Sequence, residues 1–192
     1  MRDDLGTAGS EVHAQARAVI AFWFDELSKE QRFAKDDSVD AAIGRRFGGL
    51  RDRVLATRAE GWRDTPETLI AAIILLDQFS RNLCRGKAAA FDADPLAREL
   101  TRVALDRGWD ADMPDAWRQF AYMPLMHAED PALQQESVAL FEGLHEPEAL
   151  AFAHDHARVI DEFGRFPGRN AALGRVSTPA ELDYLSRPGA GW

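Results

Sequence analysis

Three clusters of ionisable residues in this chain have the types and spacing to do chemistry. The first is Asp77-Gln78-Phe79-Ser80-Arg81-Asn82, followed by Arg85 and Lys87. The second is Phe163-Gly164-Arg165-Phe166-Pro167-Gly168-Arg169-Asn170, running on to Arg175. Each contains an Arg-Asn pair. A guanidinium forks two parallel N–H donors onto a carboxylate or phosphate, so arginines gathered in two turns suit an anion. The third cluster is Arg118 together with His127-Ala128-Glu129. A histidine titrates near neutral pH, and a carboxylate beside it can orient the ring, the arrangement of a general acid–base pair. His156, on a later helix, is a second candidate proton carrier. The expected ligand-binding set is Asp77, Arg81, Asn82, Arg85, Arg118, Arg165, Arg169 and Asn170, with His127, Glu129 and His156 as the candidate catalytic groups.

Other chemistries find no support in the residues. His127-Ala128-Glu129 lacks the second histidine of a metalloprotease helix, and a single cysteine, Cys84, allows neither an intrachain disulfide nor a cysteine zinc site. No metal and no cofactor is expected, since the chain has no glycine-rich dinucleotide loop, no Walker loop and no serine elbow. Cys84 lies between Arg81 and Arg85, where positive charge lowers a thiol pKa. The preferred reading of it is a small buried apolar residue.

Charge narrows the partners. The formal net charge is -9, yet the segments 79–91 and 163–176 carry +3 each. An acidic chain with basic charge in two turns lacks the extended basic face that binds nucleic acid. The longest apolar run, Leu69 to Leu76, is far short of the roughly 20 residues of a membrane span. The polar N-terminus and the lone cysteine lead to the expectation of a cytoplasmic protein. Arginine outnumbers lysine 20 to 3. That bias is ascribed to a GC-rich coding sequence, so only the placement of the arginines carries information.

The elements that must position these residues read as helices throughout. No stretch alternates apolar and polar over the length of a strand. Asp94-Pro95, Asp130-Pro131 and Thr65-Pro66 each read as an N-cap followed by proline in the first turn, and Thr178-Pro179-Ala180-Glu181 as a capping box. Helices are expected near 11–26, 38–60 (interrupted around Gly48-Gly49), 66–82, 95–107, 114–122, 131–143, 147–163 and 179–186. They make a single helical domain over 11–186, with loose termini at 1–10 and 187–192. Gly61-Trp62 and Gly108-Trp109 form a weak repeat in which a helix ends at glycine and a tryptophan covers the turn. The expected fold class is all-α: about eight helices in antiparallel pairs, forming a compact array.

Periodicity also places charges inside. Leu69–Leu76 is apolar all round, so its helix is central and buried. Asp77 continues the face of Ile70 and Ile73, with Arg81 four residues on. The two are expected to meet each other or a third group, and as a closed pair to tie the helix end to its neighbour, with Asn82 capping carbonyls. Phe152, His156, Ile160 and Phe163 share one face, so His156 is expected on the core side together with Phe152. Asp161 or Glu162 is expected to pair with the arginines that follow.

The order of the motifs resembles a known family. Ala21-Phe22-Trp23-Phe24, then Leu76-Asp77-Gln78-Phe79-Ser80-Arg81-Asn82 with Arg85-Gly86, then Met123-Pro124-Leu125-Met126-His127-Ala128-Glu129-Asp130, then Phe163 to Asn170 with Leu173-Gly174-Arg175 and Ser177-Thr178-Pro179, is similar to the bacterial domain-of-unknown-function family 924. The resemblance runs from about 18 to 186. It implies a helical fold similar to tetratricopeptide-repeat proteins, and no established activity. Members usually carry histidine where this chain has Gly168, so no catalytic histidine is expected at that position.

Three functional readings follow. The arginine turns converge with His127 and His156 on a pocket for a small phosphate or carboxylate, the reading preferred here because the arginines crowd into two turns beside apolar runs. Alternatively, a face of stacked helices takes a protein partner, binding acidic peptides or a C-terminal carboxylate. In the third reading the arginines only tie helix ends together.

Overall fold

The computed structural model describes the backbone of residues 3–191 and the side chains of residues 9–191. The expectation of loose ends therefore lies outside the described residues at Met1, Arg2 and Trp192. Helix α1 (Asp3–Ile20) begins well ahead of its expected start and widens into a π-helical segment over Ala21–Glu26. There follow α2 (Lys29–Phe33), α3 (Asp37–Ala56), α4 (Pro66–Ile73), a second π segment (Ile74–Gln78), α5 (Phe79–Leu83) and α6 (Asp94–Asp106). The chain continues with α7 (Asp115–Met126), α8 (Pro131–Glu142), α9 (Pro147–Phe163) and α10 (Pro179–Leu185). The fold is all-α. Among the described residues there is no strand, and eight helices have seven residues or more.

The central helix is where the apolar run places it. Every residue from Thr68 to Ser80 is buried. Each Leu or Ile so enclosed contributes about 1.5–3 kcal/mol relative to exposure. Around it, α1 and α6 pack on α4, α3 packs on α5, and consecutive helices α6, α7, α8 and α9 pack side by side. Aromatic rings lock the join between α1 and the centre: Trp23 meets Phe79 and Phe120 edge-on at 5.5 Å each.

Local signals set most helix ends. The Thr65 and Thr178 side chains each accept from the backbone N–H three residues on, and Asp130 accepts from Ala132 and Leu133. Gly61 and Gly108 hold φ of +77 and +65°, the left-handed region that ends a helix without a Cβ clash. Asp94 departs from expectation, since the α6 N-cap is Ala93, with no side-chain cap. Helix α7 also runs through Pro124 to Met126, past its expected end at 122, and His127 closes it. Helix α3 is one continuous helix through Gly48-Gly49, in place of the expected interruption.

One buried hydroxyl gives a prediction. Ser137 on α8 is fully buried, and its Oγ has no hydrogen-bond partner among the described residues. An unmet buried hydroxyl costs stability and alanine is the better helix former. Ser137→Ala is expected to raise stability by about 1 kcal/mol, read as a higher urea midpoint with an unchanged slope.

Candidate functional site

The two arginine turns share one cavity. A cleft of about 400 Å3 is lined by Arg81, Asn82, Arg85 and Gly86 from the first turn and by Phe166, Gly168, Arg169 and Ala172 from the second. His127, at the end of α7, and His156, on α9, line it too. The remaining wall is largely apolar, including Phe91, Met123, Met126 and Phe152.

Most arginines at these turns are already held by carboxylates. Arg81 forks onto Asp94 at 2.5 and 2.9 Å and donates to the Ala90 carbonyl at 3.0 Å. The expected Asp77–Arg81 pair is present at 3.7 Å, and Asp94 joins it as a third group at closer range. This explains why Asp94 is not a cap: the carboxylate is 6% exposed, and a charge so enclosed needs a cation rather than a backbone amide. Arg85 and Asn82 both bind Asp40 in the first turn of α3, at 2.9 and 2.7 Å, so Asn82 does not cap carbonyls.

The histidine pairings are also rearranged. His127 Nδ1 lies 2.8 Å from Asp77 Oδ1, so the carboxylate that orients it is Asp77 and not Glu129. Burial pushes the Asp77 carboxyl up, but His127 and Arg81 outweigh this and hold it well below the ordinary range. Asp77 is therefore an anion that only accepts, and His127 Nδ1–H must be the donor. Glu129 instead receives Arg175 at 2.7 and 2.8 Å and the Phe166 N–H at 2.8 Å. It ties the second arginine turn to the end of α7. His156 Nδ1–H donates to the Phe152 carbonyl at 2.8 Å. Burial, then the neighbouring His127 and Arg169, push its pKa down to about 3, so it stays neutral. The His127 and His156 rings are 6.0 Å apart.

Four expected ligand residues do not line the cleft: Asp77, which stands behind His127, and Arg165, Asn170 and Arg118. Arg165 forks onto Glu181 at 2.6 and 2.9 Å. Asn170 donates to Ser177 and accepts from Arg175, each at 3.0 Å. Arg118 binds Asp115 at 3.1 Å and the Tyr122 hydroxyl at 3.3 Å. Nor do Asp161 and Glu162 serve the arginines that follow them: Glu162 lies 3.7 Å from Arg158, within α9. Phe152 corrects the reading of the α9 face, being 52% exposed while His156 is 6% exposed.

Arg169 is the exception among the arginines of the two turns. Its side chain is 10% exposed. Its guanidinium sits 4.4 Å from the Phe166 ring centre and 4.8 Å from that of Phe91. Its Nε is buried with no hydrogen-bond partner, and its nearest carboxylate oxygen, on Asp94, stands at 3.7 Å and belongs to Arg81. Burial, then repulsion from Arg81, lower its pKa to about 10, which leaves it charged at neutral pH.

The profile of a bacterial protein family of unknown function, DUF924, matches residues 19–189. The chain belongs to this family. A protein of unknown function from Agrobacterium tumefaciens has a similar solved structure, with a TM-score of 0.86 at 36% identity. The match covers 91% of this DUF924 chain and 98% of the other. Among curated proteins none matches.

Sequence reasoning missed several residues of the DUF924 cleft. Arg32 on α2 lines it, donates to the Trp23 carbonyl at 3.2 Å, and has a buried Nε with no partner. Phe91 supplies one face of the Arg169 sandwich, and Asp94 and Asp40 neutralise the first turn. No local pattern marks Arg32, Phe91 or Asp40. Asp94 carried a signal, but its Asp-Pro spacing is that of a cap. Cys84 is partly buried at the end of α5, less enclosed than expected.

Proposed function

We propose that the cleft binds a small anion, a phosphate or a carboxylate, with Arg169 as its anchor. The observation that carries this is the state of Arg169: a buried charge between two aromatic rings, in a cleft wall, with no hydrogen-bonded acid. Such a charge is costly to keep. Arg81 and Arg85 have their own carboxylates and shape the wall, while Arg169 retains charge and donors to give. A ligand oxygen would supply the acceptor that Nε lacks, and the apolar surroundings would strengthen the contact.

Of the two histidines, His127 is the one suited to proton transfer. Asp77 holds its Nδ1–H, so a proton taken up at Nε2 yields an imidazolium beside a buried carboxylate. His156, held neutral by burial, serves as wall. We assign the protein to the cytoplasm on the lone cysteine alone. The acidic-peptide reading, drawn from the tetratricopeptide-like stacking expected of the sequence, is the weaker one. Arg85, Arg118 and Arg165 are each occupied by the chain's own carboxylates.

Arg169→Met tests the proposal. Removing one partner of a desolvated charge pair costs about 2–5 kcal/mol of binding. Phosphate or acetate affinity is expected to fall by about thirty-fold or more, measured by calorimetric titration. The stability of the unliganded variant should stay within about 1 kcal/mol of the parent, since methionine keeps the ring contacts and removes an uncompensated charge. Unchanged anion affinity in the folded variant would overturn the proposal, and a loss of stability well beyond that limit would show Arg169 to be structural.

A further inference from the structure

Large apolar side chains are left in the open where the cleft meets solvent. Phe33 is 48% exposed and Phe152 is 52% exposed, and both line the cleft. Together with Ala149 they also line an adjoining groove of about 290 Å3. Phe33, Ala149 and Phe152 therefore carry apolar surface from the cleft onto the exterior, edged in the groove by Lys29, Glu30, Gln119 and Glu148. Deeper in, Met123 continues it. Methionine is unbranched and polarisable, suited to packing chains of differing shape. Phe33 and Phe152 come from α2 and α9, helices far apart in the sequence, so one face of one helix does not account for the patch.

At the other pole stands Arg169, nine-tenths buried, charged, and without an acceptor for its Nε. A fixed cation at one end and apolar walls leading out at the other describe a ligand of matching polarity. The volume of about 400 Å3 falls in the range of small-molecule sites.

We infer that the ligand is an amphiphilic anion: a carboxylate or phosphate monoester whose alkyl or aryl tail lies along Met123, Ala149, Phe33 and Phe152. The inference rests on the anion reading and adds the tail. The anion head accepts from Arg169, and the tail covers the two exposed phenylalanine rings. Head and tail contribute through separate residues, so they can be removed separately.

Calorimetric titration of the full-length protein with acetate, octanoate, octyl phosphate, octylamine and inorganic phosphate reads both parts. Octanoate is expected to bind at least about ten-fold tighter than acetate, since each buried methylene adds to affinity. Octylamine is expected not to bind. Phe152→Ser, at an exposed position where folding is little affected, should remove most of the octanoate advantage and leave acetate unchanged. Arg169→Met should lose both acids. If phosphate or acetate binds and octanoate is no tighter, the tail inference fails and the anion reading stands. If octylamine binds as well as octanoate, the apolar track acts without the cation, and the anion reading fails. Silence across all five ligands overturns both. A peptide ending in a free-carboxylate phenylalanine is the remaining competitor. Binding ten-fold tighter than octanoate, abolished by C-terminal amidation, would replace the small amphiphile with a protein terminus.

Discussion

Asp94→Asn is expected to cost about 3–5 kcal/mol of folding stability, the usual penalty for removing one partner of a buried ion pair. Asp94 is 6% exposed and takes both Nη atoms of Arg81. Burial pulls the Arg81 guanidinium towards neutrality, and Asp77 with Asp94 more than reverse this. Without the second carboxylate, Arg81 would depend on Asp77, which is already committed to His127. Arg169 would also lose its nearest acid, so two cations in one cleft wall would repel with less to offset them. Equilibrium unfolding in urea checks the size. Arg81→Met should also be destabilising, whereas the double variant Arg81→Met/Asp94→Asn should cost less than the two single losses combined. Additive losses would mean that the fork contributes little.

The second large effect is on pH dependence. His156 is held neutral, with a pKa of about 3 against an ordinary 6.5. The unfolded chain takes up a proton below pH 6.5, and the native state does not until about pH 3. Stability is therefore greatest above pH 6.5 and falls as the pH drops towards 3. The slope approaches ~1.4 kcal/mol per pH unit, so the loss between pH 6.5 and 4.5 is on the order of 2 kcal/mol. Asp77 and Glu181 also have lowered pKa values. Their stabilisation is present above the unfolded carboxyl values, 3.8 and 4.5, and is lost as the pH falls below these, so these two contribute little between pH 6.5 and 5. His156→Gln keeps a donor for the Phe152 carbonyl and cannot titrate. Its stability curve should be flatter across that window, and an undiminished slope would assign the effect to another group.

The helical frame was legible because its signals are local. The caps at Thr65, Asp130 and Thr178 act within three residues of themselves. Burial of Leu69–Leu76 follows from an apolar run with no polar face. The orientation beyond that run was less legible. Over Ile74–Gln78 the helix is π-helical, and an extra residue in the turn rotates everything after it relative to an α-helical projection. Periodicity within the helix relates Arg81 to Asp77, which it does meet at 3.7 Å; its closer partner, Asp94, comes from another helix. Phe152 was misread for a related reason. Its four-residue spacing from His156 gives it a place on that face but does not say how far along the helix the neighbouring elements extend.

Taken alone, the sequence determined the all-α class, the main helix starts and the buried central helix. Only the tertiary structure decided which acid each cation receives. The deciding partners lie 13 residues apart for Arg81 and Asp94, 42 for Asn82 and Asp40, 46 for Arg175 and Glu129, and 50 for His127 and Asp77. Helical periodicity relates residues three and four apart. Pairing over these distances is set by how helices pack, and by the cost of leaving any charge in that packing unmatched. That cost is met by carboxylates at Arg81, Arg85, Arg165 and Arg175, while Arg169 keeps a buried Nε with no partner.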